Sequence, residues 1–417
     1  MRMRRMGGLA LALSLLLAGC TEPGKQADLP LPQPPSQSQQ APEPEPVVAR
    51  LAVAGDVMSH MPITRDAYRA ETGTYDYGHI LQGAAPQLAA ADYAAANLET
   101  VLAGGPNYSG FPTFNSPDAL ADGVRAAGLD LLSTANNHSW DQGAAGAFRT
   151  LDVLDEVGLA HVGTHRSQKE RDRASGVYVA DVGGISVAFL SYTYGLNGFR
   201  LGEEQGYAVN LFNLDYASSL SEPDYDLMAA DLAAARAMAP DLIAVMIHWG
   251  VEYQNEPNHH QTELARFLVE QGADLVLGGH PHVLQPYETL TVQGWDGQER
   301  QGFVCYSLGN FISNQQELET RTTVVLELEL TRDPVNGETK VTDVCYTPYY
   351  MLHRDDRPAG ERRWLVEIHG ALAAWEAGDK GVVDQRSYEQ LRAALDHCHS
   401  VLGPEGDRQG MVSENRS

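Results

Sequence analysis

Short apolar runs that end in polar side chains recur along this chain. The clearest run, residues 273–277, stops at Gly278-Gly279 and is followed at once by His280, Pro281 and His282. Apolar runs of this length, alternating with helix-like stretches, predict buried parallel strands. Ligands bind beyond the carboxyl ends of such strands. Two imidazoles on a loop stiffened by proline suit a transition metal, although the pair alone would favour an ordinary solvated loop.

Four further runs, at residues 47–54, 92–96, 128–134 and 241–247, end in the same way. Each exit has an ordinary explanation, because Asp and Asn also form turns. Taken together, these exits predict one shared metal site. Mixed imidazole, carboxylate and amide ligands suit Mn, Fe or Zn, and their number exceeds the need of one ion, which favours two metals. The candidate ligands at these four exits are Asp56, Glu99, Asn137 with His138, and His248.

Strands that alternate with helices predict an α/β domain over residues 47–352. Residues 195–224 are irregular and suggest a lid or substrate loop. A helical extension is expected over residues 353–402, and a disordered tail over 403–417. The other predicted elements are helices at 80–91, 116–127, 144–157, 226–238, 261–271, 364–375 and 388–397, hairpins at 177–194 and 287–306, and antiparallel strands at 322–330 and 340–346.

The amino terminus has the pattern of a secretory signal. Three arginines precede an apolar stretch at residues 7–17 that is too short to span a bilayer. It ends in Leu17-Ala18-Gly19-Cys20, which resembles a bacterial lipobox. We therefore expect a signal peptide at 1–19, lipidation of Cys20 and a Pro/Gln/Ser-rich tether at 20–46. The protein would be anchored to a membrane of the cell envelope and face the extracytoplasmic side. An ordinary signal peptide with a chance cysteine is the alternative.

The composition and net charge limit which classes of molecule this protein can bind. The chain has 417 residues and a formal net charge of -26. Nucleic acid is excluded as a partner, because binding a phosphate backbone needs clustered Lys and Arg. Three cysteines lie in the globular part, and we expect buried free thiols rather than a disulfide. They are Cys305, Cys345 and Cys398.

Six motifs together carry a family resemblance: GDVM, NLET, ANNHSWDQG, HWGVEY, GGHPHVLQPYE and YSLGNF. In this order they resemble the CapA-type capsule (poly-γ-glutamate) synthesis proteins, which are similar to the calcineurin-like metallophosphoesterases. The resemblance covers roughly residues 50–315. It implies a four-layer sandwich with two mixed sheets flanked by helices.

The resemblance also implies roles for individual residues. Met58 stands where the wider phosphoesterases have a metal-binding His, and His60 is the candidate replacement. Glu252 and Asn310 lie in matching motifs as possible metal or pocket residues. The implied roles are a first metal on Asp56 and His282, a bridging position for Glu99, a second metal on Asn137, His248 and His280, and a general acid at His138 oriented by Asp141.

The expected function is that of a lipid-anchored CapA-like protein. It would act in the synthesis, export or anchoring of an anionic surface polymer, in contact with a polymer-synthase complex and through a dinuclear metal site. One alternative is an envelope phosphoesterase unrelated to capsule. A second is a non-catalytic polymer-binding protein on the same fold, which the methionine at position 58 keeps open.

Overall fold

The computed structural model describes residues 44–381 and 383–409. The predicted signal peptide, Cys20 and nearly all of the predicted tether lie outside these residues, as do residues 410–417. Within them the strands, in chain order, are Val47–Val57 (β1), Tyr68–Arg69 (β2), Thr74–Tyr75 (β3), Tyr93–Leu98 (β4), Leu131–Ser133 (β5), Ala160–Val162 (β6), Tyr178–Val182 (β7), Ile185–Thr193 (β8), Leu242–His248 (β9), Leu275–Gly279 (β10), Leu284–Gln293 (β11), Glu299–Leu308 (β12), Asn310–Ile312 (β13), Thr322–Arg332 (β14), Thr339–His353 (β15) and Arg363–Glu367 (β16).

The helices lie between these strands in the sequence, and many of them pack against the outer faces of the sheets. They are Met61–Ala67 (α1), Gly78–Leu81 (α2), Ala85–Leu88 (α3), Ala119–Ala126 (α4), Gly143–Val157 (α5), Gln168–Arg173 (α6), Tyr225–Ala237 (α7), His259–Glu270 (α8), Leu318–Arg321 (α9), Ile368–Glu376 (α10) and Gln385–Leu402 (α11), followed by a 3₁₀ turn at Pro404–Gly406.

The strands form two large mixed sheets. The first has the order β16-β15-β14-β1-β4-β5-β6, with β13 also paired to β1. Its members β1, β4, β5 and β6 run parallel, whereas β14 to β16 are antiparallel. The second has the order β11-β12-β10-β9-β8-β7. It is parallel in the middle and antiparallel at both edges.

Alternation along β1 explains why the sheets stack. Leu51 and Val53 pack with Val187 and Phe189 of the second sheet, whereas Ala52 and Ala54 point to the opposite face and pack with helix residues such as Leu120. Side chains of a strand alternate between its two faces, so one strand contributes to two cores. A third core lies between the second sheet and helices α7 and α8. The result is the predicted sandwich of two mixed sheets between helical layers.

Three segments differ from the prediction. Residues 80–91 form two short helices, because Pro86 lacks the amide hydrogen that a continuous helix needs. Residues 364–367, predicted as helical, belong to β16, which buries Trp364 and Leu365 on opposite faces beside β15. Residues 403–409, predicted as disordered, form a 3₁₀ turn and place Asp407 between two histidines.

The three cysteines within the described residues are buried free thiols, as predicted. Burial raises the pKa of Cys305 to about 12 and that of Cys345 to about 11.

Among the described residues, no helix is both long enough and apolar enough to cross a membrane.

Candidate metal centre

The carboxyl ends of parallel strands from both sheets meet at one edge of the sandwich. Asp56 stands at the end of β1 and Glu99 directly follows β4 in the first sheet. His248 ends β9 and His280 follows β10 in the second sheet. These four side chains are almost completely buried. The strand exits identified in the sequence therefore converge, as expected for ligand sites in α/β sheets.

Ligand-type side chains form three overlapping groups, in each of which the candidate ligand atoms lie within 4.8 Å of one another. Glu99 belongs to two of the groups, and His280 and His282 also belong to two each. Glu252, which is partly exposed, joins only the third. The groups are Glu99 with His248 and His280, Asp56 with Glu99 and His282, and Glu252 with His280 and His282.

Glu99 lies between the first two groups. Its Oε1 is 3.3 Å from Nε2 of His248, and its Oε2 is 3.9 Å from Nδ1 of His282. Within the described part of the chain, neither oxygen has a hydrogen-bond partner, and the same is true of Nδ1 of His280 and Nδ1 of His282. A buried carboxylate without partners is costly. Oxygen and imidazole donors that converge without partners fit divalent transition metals.

Asp56 is held by the backbone and by a neighbouring amide. Its Oδ1 accepts a 2.8 Å hydrogen bond from Nδ2 of Asn97, and its Oδ2 accepts a 3.0 Å bond from the backbone N–H of His280. Burial raises the pKa of Asp56, but nearby His282 and His248 outweigh burial, so the pKa lies below its usual value. The side chain is therefore an oriented carboxylate, which suits a metal ligand.

The loop after β10 has an unusual backbone. His280 has φ +94° and His282 has φ +60°. Residues other than glycine rarely adopt such positive backbone angles. Two contacts fix the loop: Tyr253 N–H donates to the carbonyl of Pro281, and Nδ2 of Asn310 donates to the carbonyl of His282. Strained backbone held by its surroundings is common at functional sites. Asn310 thus supports the loop through its amide, while its Oδ1 is buried and lacks a hydrogen-bond partner in the described structure.

The pKa values of the two histidines of this loop are shifted in opposite directions. Burial and the nearby imidazoles of His248 and His282 hold the pKa of His280 well below its usual value. Burial also lowers the pKa of His282, but Glu99 and Asp56 outweigh it and raise that pKa to about 9. His280 is therefore neutral, the form that binds metals, and His282 faces the carboxylates.

The loop after β5 adds an amide, from Asn137, and a further imidazole, from His138. The Oδ1 of Asn137 is 2.9 Å from Nε2 of His248. The Nδ1 of His138 is 2.7 Å from Oδ2 of Asp141, and this oxygen also accepts a 2.6 Å bond from the N–H of Phe114. Asp141 therefore fixes the ring orientation of His138 and leaves its Nε2 free of this contact. This is the arrangement expected of a positioned acid or base.

His60 does not join the ligand groups among the described residues. Its Nδ1 accepts a 3.3 Å bond from the N–H of Asn314, and its ring packs edge-on against Phe114. Burial, together with the nearby His282 and His138, lowers its pKa to about 4. Met58 is buried. That His60 takes the role of the metal-binding histidine, which is absent at position 58, stays a prediction.

Four residues of the site were not identified from the sequence. Asn97 lies between Asp56 and His248, and its Nδ2 is 3.3 Å from Nδ1 of the latter. Asn136 donates to Oδ1 of Asn97 and to the carbonyl of Leu98. The two remaining residues reach the site from the loop after β8: Asn197 contacts Asn137 and His138, and Tyr194 packs on the rings of His248 and His280. Asn97 carried a signal, since it is the last polar residue before Glu99.

Two of the solved structures that align with this chain are enzymes. The calcineurin-like phosphoesterase YfkN from Bacillus subtilis aligns over 85% of this chain and 98% of that chain, with a TM-score of 0.39 and 12% identity. The sulfate thiohydrolase SoxB from a Thermus species aligns over 86% of this chain and 61% of that chain, with a TM-score of 0.40 and 12% identity.

Two sequence relatives are named for capsule or PGA biosynthesis. The capsule biosynthesis protein CapA of Bacillus anthracis is 27% identical over 358 residues, which cover 84% of this chain and 79% of that protein. The PGA biosynthesis protein CapA of Bacillus subtilis (strain 168) is 29% identical over 268 residues, which cover 64% of each. The family described as bacterial capsule synthesis protein PGA_cap matches residues 50–315. This match spans more than half of the sequence, and the chain belongs to that family.

Proposed function

We propose that this protein acts in the synthesis, export or anchoring of an anionic surface polymer through a dinuclear metal site that hydrolyses or transfers a phosphoester. The observation that carries the proposal is the position of Glu99. Its two buried oxygens lie toward different ligand groups and have no hydrogen-bond partners among the described residues. Two divalent ions bound by these groups would supply a nucleophilic water and would neutralise charge on the phosphoryl group.

The side chains divide into two functional sets. Asp56, Glu99 and His282 would hold one ion, and His248 and His280, with Asn137 and the shared Glu99, would hold the other. Glu252 approaches His282 to 3.9 Å and is 41% exposed, so it stands at the open side of the centre.

His138 is proposed to donate a proton to the leaving oxygen. Its Nδ1 is occupied by Asp141, so the proton would leave from Nε2. Asp141 is itself oriented by the N–H of Phe114, which keeps the imidazole in one orientation. General acids positioned in this way contribute about 10²- to 10⁴-fold to a rate.

A phosphoesterase assay tests the chemistry. The manganese-loaded protein should hydrolyse a p-nitrophenyl phosphomonoester or phosphodiester, and His280→Asn should lose at least 100-fold of that activity. Asparagine tolerates the positive φ of this position better than most residues. His259→Asn is the matched control, since His259 is 78% exposed on α8. Wild-type protein that is inert on both esters after metal loading would support a non-catalytic polymer-binding role instead.

The cellular role needs a separate test. A deletion strain should lose or alter its surface polymer, and wild-type protein should restore the polymer where His280→Asn does not. An unchanged polymer in the deletion strain would favour an envelope phosphoesterase unrelated to capsule. We also propose that Cys20 carries the lipid anchor and that a polymer-synthase complex is the partner. Fatty-acid labelling of wild-type but not Cys20→Ser protein, and co-purification with the synthase, are the expected results.

A further inference from the structure

An apolar cleft opens beside the metal centre. It has a volume of about 490 Å³ and reaches the centre through His280, Glu252 and Tyr194. Its remaining wall comes from the loop between β8 and α7, from the segment after β9 and from α8. The apolar side chains of that wall are Phe212, Leu220, Pro223, Tyr225, Trp249, Val251 and Leu264.

The polar groups of the cleft wall are largely occupied within the protein. The Nδ2 of Asn213 donates to the carbonyl of Tyr194, and the indole N–H of Trp249 donates to the carbonyl of Tyr306. In the capping box of α8, the side-chain oxygens of Asn258 and Gln261 each accept a hydrogen bond from the backbone N–H of the other residue, and Nε2 of Gln261 donates to Oε1 of Gln285. The wall therefore offers few hydrogen bonds to a ligand.

The charge of the cleft lining does not favour a polyanion along its length. Among the described residues that line it there is no lysine or arginine, and its acidic and imidazole side chains are Glu252, His260 and His280. Away from the metal ions proposed at the centre, no lysine or arginine of the described lining is available to pair with successive carboxylates of an acidic polymer. The mouth is apolar instead: Val251 is 52% exposed, Leu220 41% and Tyr225 39%.

We propose that the cleft binds an alkyl chain of the substrate, so that the site acts on an amphiphilic alkyl phosphoester rather than on the acidic polymer itself. The phosphoryl group would face His280, and the chain would run along Trp249 and Leu264 toward Val251. At about 30 Å³ for each methylene-sized group, the cleft volume accommodates on the order of fifteen such groups of an alkyl chain. The phosphoryl position rests on the proposed function, whereas the chain position rests on the cleft alone.

Binding of n-butyl, n-hexyl and n-octyl phosphonate, measured calorimetrically, tests this inference without any hydrolysis. Affinity should rise roughly fourfold for each added methylene. The rise should appear in both manganese-loaded and EDTA-treated protein, because the metal contacts only the phosphonate group. If hydrolysis fails but the chain-length effect is present, the proposed phosphoesterase activity falls and the cleft assignment stands.

Surface variants at the mouth keep the fold intact. Val251→Asp and Leu220→Asn should reduce the gain from hexyl to octyl to less than twofold per methylene. Asparagine is chosen at position 220 because Leu220 has φ +56°. Val335→Asp, at an 85% exposed position between β14 and β15, should keep the wild-type effect. Equal affinity for the three phosphonates, or a chain-length effect that both mouth variants retain, would overturn the inference.

Discussion

The backbone N–H of His280 donates a 3.0 Å hydrogen bond to Oδ2 of Asp56, although 224 positions separate the two residues. The bond joins the end of β1 in the first sheet to the loop after β10 in the second. The metal centre is therefore assembled across the sheet interface. Orientation of the first carboxylate depends on the backbone of the loop that carries the two histidines.

The first prediction concerns the glycine pair before that loop. A Cβ on Gly279 would lie 2.6 Å from Oδ1 of Asp56, and a Cβ on Gly278 would lie 2.0 Å from the carbonyl oxygen of Tyr306. Gly279→Ala should displace the carboxylate and weaken metal binding about tenfold or more. Gly278→Ala pushes on backbone and should mainly lower the free energy of unfolding, by about 3 kcal/mol. Metal titration and urea unfolding of both variants make the comparison. Wild-type metal affinity in Gly279→Ala would contradict it.

The second prediction concerns Asn97, which donates to Asp56 and lies beside His248. Asn97→Ala removes a group that orients two ligands, so metal affinity should fall about 10- to 100-fold. Asn210→Ala is the control, because Asn210 is also buried but bonds to Ser191 and His165 instead. Titration with Mn²⁺ should show weaker metal binding in Asn97→Ala but not in Asn210→Ala.

The third prediction separates His138 from the ligands. His138→Ala should lower kcat by about 10²- to 10⁴-fold with little change in KM or metal content, because its proposed role is proton donation. Asp141→Asn keeps the shape of the side chain but weakens the fixed orientation of the ring, and should cost about tenfold or more. Steady-state kinetics and metal analysis of the same samples distinguish the roles. Loss of bound metal in His138→Ala would show that His138 is a ligand instead.

The fourth prediction concerns acid stability away from the site. Asp66 accepts hydrogen bonds from the backbone N–H groups of Gly360, Arg362 and Arg363 and contacts His79. Burial raises the pKa of Asp66, but the contact with His79 and these bonds outweigh it, so the pKa lies below 3.8. A lowered carboxyl pKa stabilises the fold above about pH 4, and this stability is lost as the pH falls through the folded-state pKa.

Asp66→Asn should therefore lower the free energy of unfolding by about 2 kcal/mol at pH 7. The difference from wild type should shrink as the pH falls below 4. Asp396→Asn, at an exposed position on α11, should change stability little at either pH. Urea unfolding at several pH values provides the measurement, and a difference that grows on acidification would refute the assignment.

The sequence was most informative where local pattern and tertiary position coincide. The apolar runs before Asp56, His248 and His280 became strands, and their polar exits meet because parallel strands of an α/β sheet end at the same edge. The two-sheet sandwich was implied by the family resemblance, whereas the apolar runs alone predicted an α/β domain of alternating strands and helices.

Other features depend on contacts that the sequence does not display. The segment Arg363–Glu367 has an apolar run that continues into α10, and only its pairing with β15 makes it a strand. Asn97 stands two positions before Glu99, but its contact with Asp56, like that of Asn197 with His138, exists only in the folded chain. Gly403 is fixed by the hydroxyl of Tyr346, which is distant in sequence. Tertiary contacts decided each case.

Metal content tests the central claim, the sharing of Glu99 between two ligand groups, most directly. Protein loaded with Mn²⁺ and freed of excess by gel filtration should retain about two ions per chain. Glu99→Gln should retain fewer than one, whereas Glu263→Gln, at a position with a 52% exposed side chain on α8, should match wild type. Equal metal content in wild type and Glu99→Gln, or no retained metal in wild type, would contradict the account.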